Sequence, residues 1–112
     1  MVYEMKLKEP YFSCIKNGTK RIEIRLNDEK RQQLKAEDTI IFKNILNEEE
    51  TIEAKVEKLM YYDNFLSLVN SFDILQLAGK NFSKVDLLEE LNQIYSLDDQ
   101  KKYGVVGIKI AV

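Results

Sequence analysis

The sequence predicts an α+β fold, a small and mostly antiparallel β-barrel or curled sheet flanked by helices, in a single domain spanning residues 1–112. Three observations lead there. About five stretches have strand period or strand composition. The elements run strand, short helix, strands, helices, strand, without the strand–helix alternation of a parallel doubly wound sheet. No repeat, low-complexity tract or Pro/Ser linker marks a second domain.

Tyr3 to Lys8 sets Tyr3, Met5 and Leu7 against Glu4, Lys6 and Lys8, the period of a strand. Pro10, the only proline, suits a helix start, where its missing N–H costs nothing. Phe12 and Ile15 then share a helical face, and Asn17-Gly18 supplies the stop. Arg21 to Leu26 alternates again, with Ile22, Ile24 and Leu26 on one side and Arg21, Glu23 and Arg25 on the other. Asp28 is a suitable cap for one helical turn before Leu34. Thr39-Ile40-Ile41-Phe42 reads as a buried strand and Asn47 to Glu50 as a hairpin turn. Thr51 to Leu59 returns with Ile52, Ala54 and Val56 inward, and a slip of phase at Lys58 predicts a bulge.

The next segments are helical. Asp63 is expected to cap a helix with Phe65, Leu68, Val69 and Phe72 on one face. Ile74, Leu75 and Leu77 either extend a helix or pack as loop, ending at Gly79. Ser83-Lys84-Val85-Asp86 has the capping-box form and opens a helix expected to bury Val85, Leu88, Leu91, Ile94 and Tyr95. Ser96 repeats the cap signal before a short turn ending at Tyr103-Gly104. Val105 to Val112 closes the chain as a strand, in which Gly107 invites a bulge or a close backbone approach.

Composition bounds the function. A 45% hydrophobic content supplies a core, and 17 Lys/Arg against 19 Asp/Glu gives a net charge of −2. The chain has no histidine, which excludes Ser-His-Asp and Cys-His catalysis and His-ligated zinc. Any enzyme built on it works with Lys, Glu, Asp, Tyr, Thr, Ser or Cys. The single cysteine, Cys14, excludes an intrachain disulfide and a multi-cysteine metal site, and it reads as a small apolar filler. No metal site and no cofactor is expected. No apolar run approaches the roughly 20 residues that span a bilayer, and the first residues lack a signal-peptide layout. A soluble, cytoplasmic protein without membrane partners is the expectation. Charge is uneven: residues 1–44 hold 10 Lys/Arg and 7 Asp/Glu, whereas 45–112 hold 7 and 12. That pattern argues against double-stranded DNA as a partner and leaves room for one local anion-binding face.

The chemistry concentrates in Gly18-Thr19-Lys20-Arg21-Ile22-Glu23-Ile24-Arg25. Side chains two residues apart on a strand lie about 6.6 Å apart, so Glu23 and Arg25 can converge on one small ligand. With Lys20 they offer an ammonium, an accepting carboxylate and a planar guanidinium, the parts that bind a phosphate and a polar base edge. Spacing alone favours a solvated strand face with a weak Glu23–Arg25 ion pair, since exposed charged strand faces are common. Tyr61, Tyr62 and Tyr103 could stack a base, or Tyr61 and Tyr62 could simply end a strand with one ring in the core.

Gly18 to Arg25 matches the G-x-K-x-x-E-x-R signature, and the chain thereby resembles the ASCH domains of the PUA-like superfamily, in particular their small single-domain bacterial members. Pro10-Tyr11-Phe12 with Ile15-Lys16-Asn17-Gly18, then Arg25 to Arg31, Asp38 to Phe42 and Lys101 to Ile108, resemble further stretches of that family. The resemblance implies a β-barrel flanked by helices whose cleft binds RNA or a nucleotide-like ligand. It places Lys20, Glu23 and Arg25 in that cleft, with Tyr62 and Tyr103 as further ligand-binding candidates. Where the family usually has Gly-Asp before the third strand, this chain has Glu37-Asp38, which should tighten or reshape the turn. One small branch hydrolyses the amide of N(4)-acetylcytidine with a lysine and a threonine of this motif and a distant glutamate. Lys20 matches that lysine, but Glu23 stands at the threonine position, so a covalent Thr route is not available there.

Three readings follow. In a binding module, Lys20 and Arg25 hold phosphate, Glu23 accepts from a base amino group and a tyrosine stacks. An amidohydrolase acting on a modified nucleoside would use Glu23 as general base and Lys20 on the leaving group, making both catalytic. A histidine-independent ribonuclease would need Lys20 with a substantially lowered pKa.

Overall fold

The computed structural model describes residues 1–80 and 82–112. Five strands form one sheet: β1 (Val2–Leu7), β2 (Ile22–Leu26), β3 (Thr39–Asn44), β4 (Asn47–Tyr62) and β5 (Val105–Ala111), in the order β1-β3-β4-β5-β2. β1 runs parallel to β3; the other three pairings are antiparallel. The sheet is a curled half-barrel, open between its edge strands β1 and β2. The Arg25 side chain on β2 crosses that opening and donates from Nη2 to the Lys6 carbonyl of β1 at 3.0 Å.

Helices close the curl. Between β1 and β2 lies α1 (Tyr11–Lys16); α2 (Phe65–Asn70), α3 (Ile74–Leu77), α4 (Lys84–Ile94) and α5 (Leu97–Tyr103) lie between β4 and β5. Phe12 and Ile15 of α1 join Met5, Ile40, Phe42, Val56 and Ile108 in one apolar cluster. Ile22, Ile24 and Leu26 face a second cluster, built with Phe65, Leu68, Leu77, Leu87 and Leu91. Fully burying each such side chain contributes about 1.5–3 kcal/mol, so the helices are held chiefly by this contact with β2 and β5. Leu68 lies close above Gly107, where an added Cβ would sit 3.6 Å from Leu68 Cδ1. The glycine therefore serves close packing and no bulge forms there, its partners being Ile24 and Met60 in regular register.

The slip at Lys58 is a bulge: the β4–β5 register shifts between Val56 and Lys58. Several other boundaries move for local reasons. The hairpin turn is Ile45-Leu46, not Asn47 to Glu50, because Asn44 Oδ1 accepts from Leu46 N (3.1 Å) and turns the chain early. Asn64 caps α2 in place of Asp63, its Oδ1 accepting from Ser67 N at 2.8 Å. Asp73 caps α3 by accepting from Leu75 N at 3.0 Å, which resolves the ambiguous stretch as a short helix. On α4 the buried residues are Leu87 and Leu91, while Val85 and Ile94 are 66% and 58% exposed. Val85 lies two residues, some 200°, from Leu87 around the helix, and so points away from the sheet. Ser96 opens a seven-residue helix where only a turn was expected.

Glu37 carries φ +77 in the turn before β3, the only positive φ outside glycine among the described residues. The turn thus keeps a left-handed geometry that glycine adopts freely and an L-residue adopts at a cost of about 1–2 kcal/mol. Its backbone is tied by Glu37 N to Val56 O at 2.8 Å. Glu37→Gly relieves that cost and gives back part of it as unfolded-chain entropy, about 0.4–1 kcal/mol. Urea denaturation should show a net gain of about 0.5 kcal/mol; a loss would contradict the strain assigned to this turn.

Candidate functional site

The Gly18–Arg25 segment is positioned by three elements. α1 ends at Lys16 and the Lys20 N–H returns to Cys14 O at 3.0 Å, which turns the chain into β2. The Cys14 sulfur packs 2.9 Å from where a Cβ on Gly79 would lie, so this filler and the loop after α3 fit against each other. On β2 the alternation is real, but both faces are covered. Ile22, Ile24 and Leu26 are in the core, and Glu23 is only 4% exposed. The reading of a solvated charged face is thereby excluded.

Lys20, Glu23 and Arg25 form a buried ion triad. Lys20 Nζ donates to Ile22 O and Leu77 O, each at 2.6 Å, and lies 3.3 Å from Glu23 Oε1. Those three acceptors account for all three ammonium protons. Arg25 Nε and Nη2 both reach Glu23 Oε2 at 2.8 Å. Among the described residues nothing accepts from Arg25 Nη1, and Glu23 Oε1 retains room for one more donor. Burial works to raise the Glu23 pKa, but Arg25 and Lys20 outweigh it and hold the carboxylate below its ordinary value of 4.5. Burial pulls the Lys20 ammonium below its ordinary value against the opposing pull of Glu23. For Arg25, Glu23 overcomes the cost of burial and keeps the guanidinium charged.

Above the triad is a cleft of about 240 Å³, at the gap between β1 and β2. Lys20, Glu23 and Arg25 line its base, Tyr11 and Tyr95 contribute rings, and Leu77, Leu87, Leu91 and Ile94 form an apolar wall. Lys6 and Lys8 stand at the rim, 62% and 51% exposed. Tyr11 donates to Glu90 Oε2 at 2.5 Å, and Lys8 pairs with the other oxygen of Glu90. Burial and the Glu90 carboxylate keep the Tyr11 phenol protonated far above its ordinary range. The Lys20 ammonium sits 5.6 Å from the Tyr11 ring centre, a cation–π contact.

The structure brings Lys20, Glu23 and Arg25 together and leaves Tyr62 and Tyr103 out. Those two line a separate hollow at the far end of β2, and Tyr62 packs edge-on against Phe72 at 6.2 Å. Parity along β4 could not locate Tyr62, and Tyr103 ends α5, whereas the cleft is walled by other helices. Tyr11 and Tyr95 take the aromatic places instead. Tyr95 was expected in the core of α4, and Tyr11 carried no signal beyond its place beside Pro10. The Leu77 carbonyl, which holds Lys20, lay in the stretch whose conformation the sequence left open. No group of three His, Cys, Asp or Glu is placed to hold a metal among the described residues. Among the described residues no helix is long and apolar enough to cross a membrane.

The profile of the ASCH domain family matches residues 5–112. The chain belongs to the ASCH domain family. Two solved structures share this ASCH fold over nearly the whole chain. The crystal structure of hypothetical protein PH0355 is 37% identical, with a TM-score of 0.86, covering 98% of this chain and 97% of that one. The solution NMR structure of protein PF0455 from Pyrococcus furiosus is 32% identical, with a TM-score of 0.78, covering 98% and 96%. No curated protein matches the sequence. In this ASCH domain the K-x-x-E-x-R residues are one buried charge network rather than three independent side chains.

Removing the middle charge of that network exposes its role. Glu23→Gln leaves two buried cations without their counterion and should cost about 3–5 kcal/mol in urea at pH 7. Since the folded carboxyl titrates below 4.5, its stabilisation is complete above that pH and lost as pH falls through the lower folded value. Wild-type stability should therefore drop below pH 4.5 more steeply than that of Glu23→Gln. Parallel pH profiles for the two proteins would contradict the ionised, doubly paired Glu23.

Proposed function

We propose that the chain binds RNA or a nucleotide-like ligand by seating one base in the cleft over the Lys20–Glu23–Arg25 triad. One observation carries this: Arg25 and Glu23, each with hydrogen-bonding capacity left over, lie together at the base of a cleft lined by two tyrosines. A base edge presents both acceptors and donors to such groups, and its π-face suits Tyr95, since the Tyr11 ring already stacks on Phe82 at 5.5 Å. Lys6 and Lys8 stand where a phosphate on the same nucleotide would meet positive charge. Lys20 acts through Glu23 and does not touch the ligand, since its protons are already taken.

The same charges favour holding over proton transfer. A general base works best with a pKa near the operating pH, and Glu23 is held below 4.5 by two cations. Tyr11 keeps its proton, and a Lys20 base would have to break its bonds to two carbonyls. This supports binding over the amidohydrolase and ribonuclease readings.

Calorimetric titration with cytidine and cytidine 5′-monophosphate tests it. Both should bind, the monophosphate more tightly and with a salt dependence the nucleoside lacks. Arg25→Lys keeps the charge but loses the fork, and should weaken both ligands about tenfold or more, while its melting temperature reports the fold. Absence of binding by either ligand contradicts the assignment, and release of cytidine from N(4)-acetylcytidine, abolished in Glu23→Gln, would replace it with catalysis.

A further inference from the structure

At the end of β2 away from Lys20 lies a second, wider concavity of about 780 Å³. Tyr61, Tyr62 and Tyr103 line it, with Lys101 and Lys102 on α5. Tyr61 is 57% exposed, and belongs to neither apolar cluster, so its ring has no packing role that its exposure would serve. Lys102 Nζ lies 5.0 Å from the centre of the Tyr103 ring. Asp63 is the one carboxylate on the lining, against two lysines. Asn27 Oδ1 is buried at the wall and accepts no hydrogen bond. A base amino group or a sugar hydroxyl would satisfy it after a rotation of the amide.

The hollow and the cleft adjoin. Arg25 lines the cleft and Asn27 the hollow, two positions along the same strand end, about 6.6 Å apart. On the helical side, Tyr95 lines the cleft and Gln100 the hollow, and Gln100 Nε2 reaches Tyr95 O at 3.4 Å. The 3-10 turn Arg31–Gln33 packs beside Asn27, Gln32 Nε2 donating to Asn27 O at 2.9 Å, and Arg31 Nε is also buried without a partner. Cations and aromatic rings thus continue from one concavity to the next. That combination, rings for sequence-tolerant stacking and lysines tracking a backbone, is the one that binds single strands.

We propose that the cleft and the hollow form one track for single-stranded RNA, the cleft holding one base and the hollow stacking a neighbouring base on Tyr61. Lys101 and Lys102 meet the phosphates that follow. The proposal rests on the base-binding reading of the cleft and extends it: the preferred ligand is an oligonucleotide, not a free nucleotide.

The test is a length series of oligoribocytidylates from one to six nucleotides, measured by competition at low salt, with poly-L-glutamate as a control polyanion. Affinity should rise about tenfold or more between one and four nucleotides. In Tyr61→Ala combined with Lys101→Ala and Lys102→Ala, all exposed positions, that rise should vanish while cytidine monophosphate binds within twofold of wild type. Monophosphate binding with no gain on lengthening, or a gain that survives the triple variant, overturns the track and leaves the cleft reading intact. Failure of every length to bind overturns both. Competition by poly-L-glutamate equal to that of the RNA also overturns the track, because it shows a surface that reads charge alone.

Discussion

A carboxylate buried between two cations organises this protein. Glu23 takes Lys20 on one oxygen and Arg25 on the other. Burying such a group alone would cost several kcal/mol, and the two partners with their hydrogen bonds make it tolerable. Each cation then carries the charge network into a different part of the fold. Lys20 ties the start of β2 to the last carbonyl of α3, and Arg25 ties β2 to β1 across the open side of the sheet. The half-barrel stays open there because a side chain, not a backbone ladder, spans the gap. The opening is the cleft.

The same arithmetic explains what is left for a ligand. A strut made of backbone hydrogen bonds would have consumed its own donors and acceptors. A guanidinium has five N–H groups and a carboxylate about four acceptor sites, so this one retains Arg25 Nη1 and a lone pair of Glu23. These two residues brace the fold and still keep polar groups to spare, while Lys20, with its protons all used, keeps none.

Much of this was legible in the sequence where a feature depends on local pattern. The alternation of Arg21 to Leu26, the caps at Ser83 and Ser96 and the bulge near Lys58 all report backbone geometry that the side chains themselves impose. The G-x-K-x-x-E-x-R spacing located the charges. It could not show that the polar face of β2 is buried, because its partners come from elsewhere in the chain: the Leu77 carbonyl of α3, 57 residues beyond Lys20, and the Lys6 carbonyl of β1. The tyrosines failed for the same reason: Tyr11 and Tyr95 reach one cleft only through tertiary packing, whereas Tyr62 and Tyr103 were chosen for their place near strands. Ile45-Leu46 misled in a third way. A pair of aliphatic residues carries no turn signal, and the turn is made by the Asn44 side chain before it.

The claim on which the rest depends is that the group bracing the fold also touches the ligand. The most direct measurement is the side-chain Nε–H resonance of Arg25, followed by ¹⁵N NMR as cytidine monophosphate is added. The account predicts a slowly exchanging signal in the free protein, because that proton is held by Glu23, and a saturable shift on titration. A resonance that exchanges rapidly in the free protein, or one that stays unmoved while ligand binds elsewhere, would contradict it.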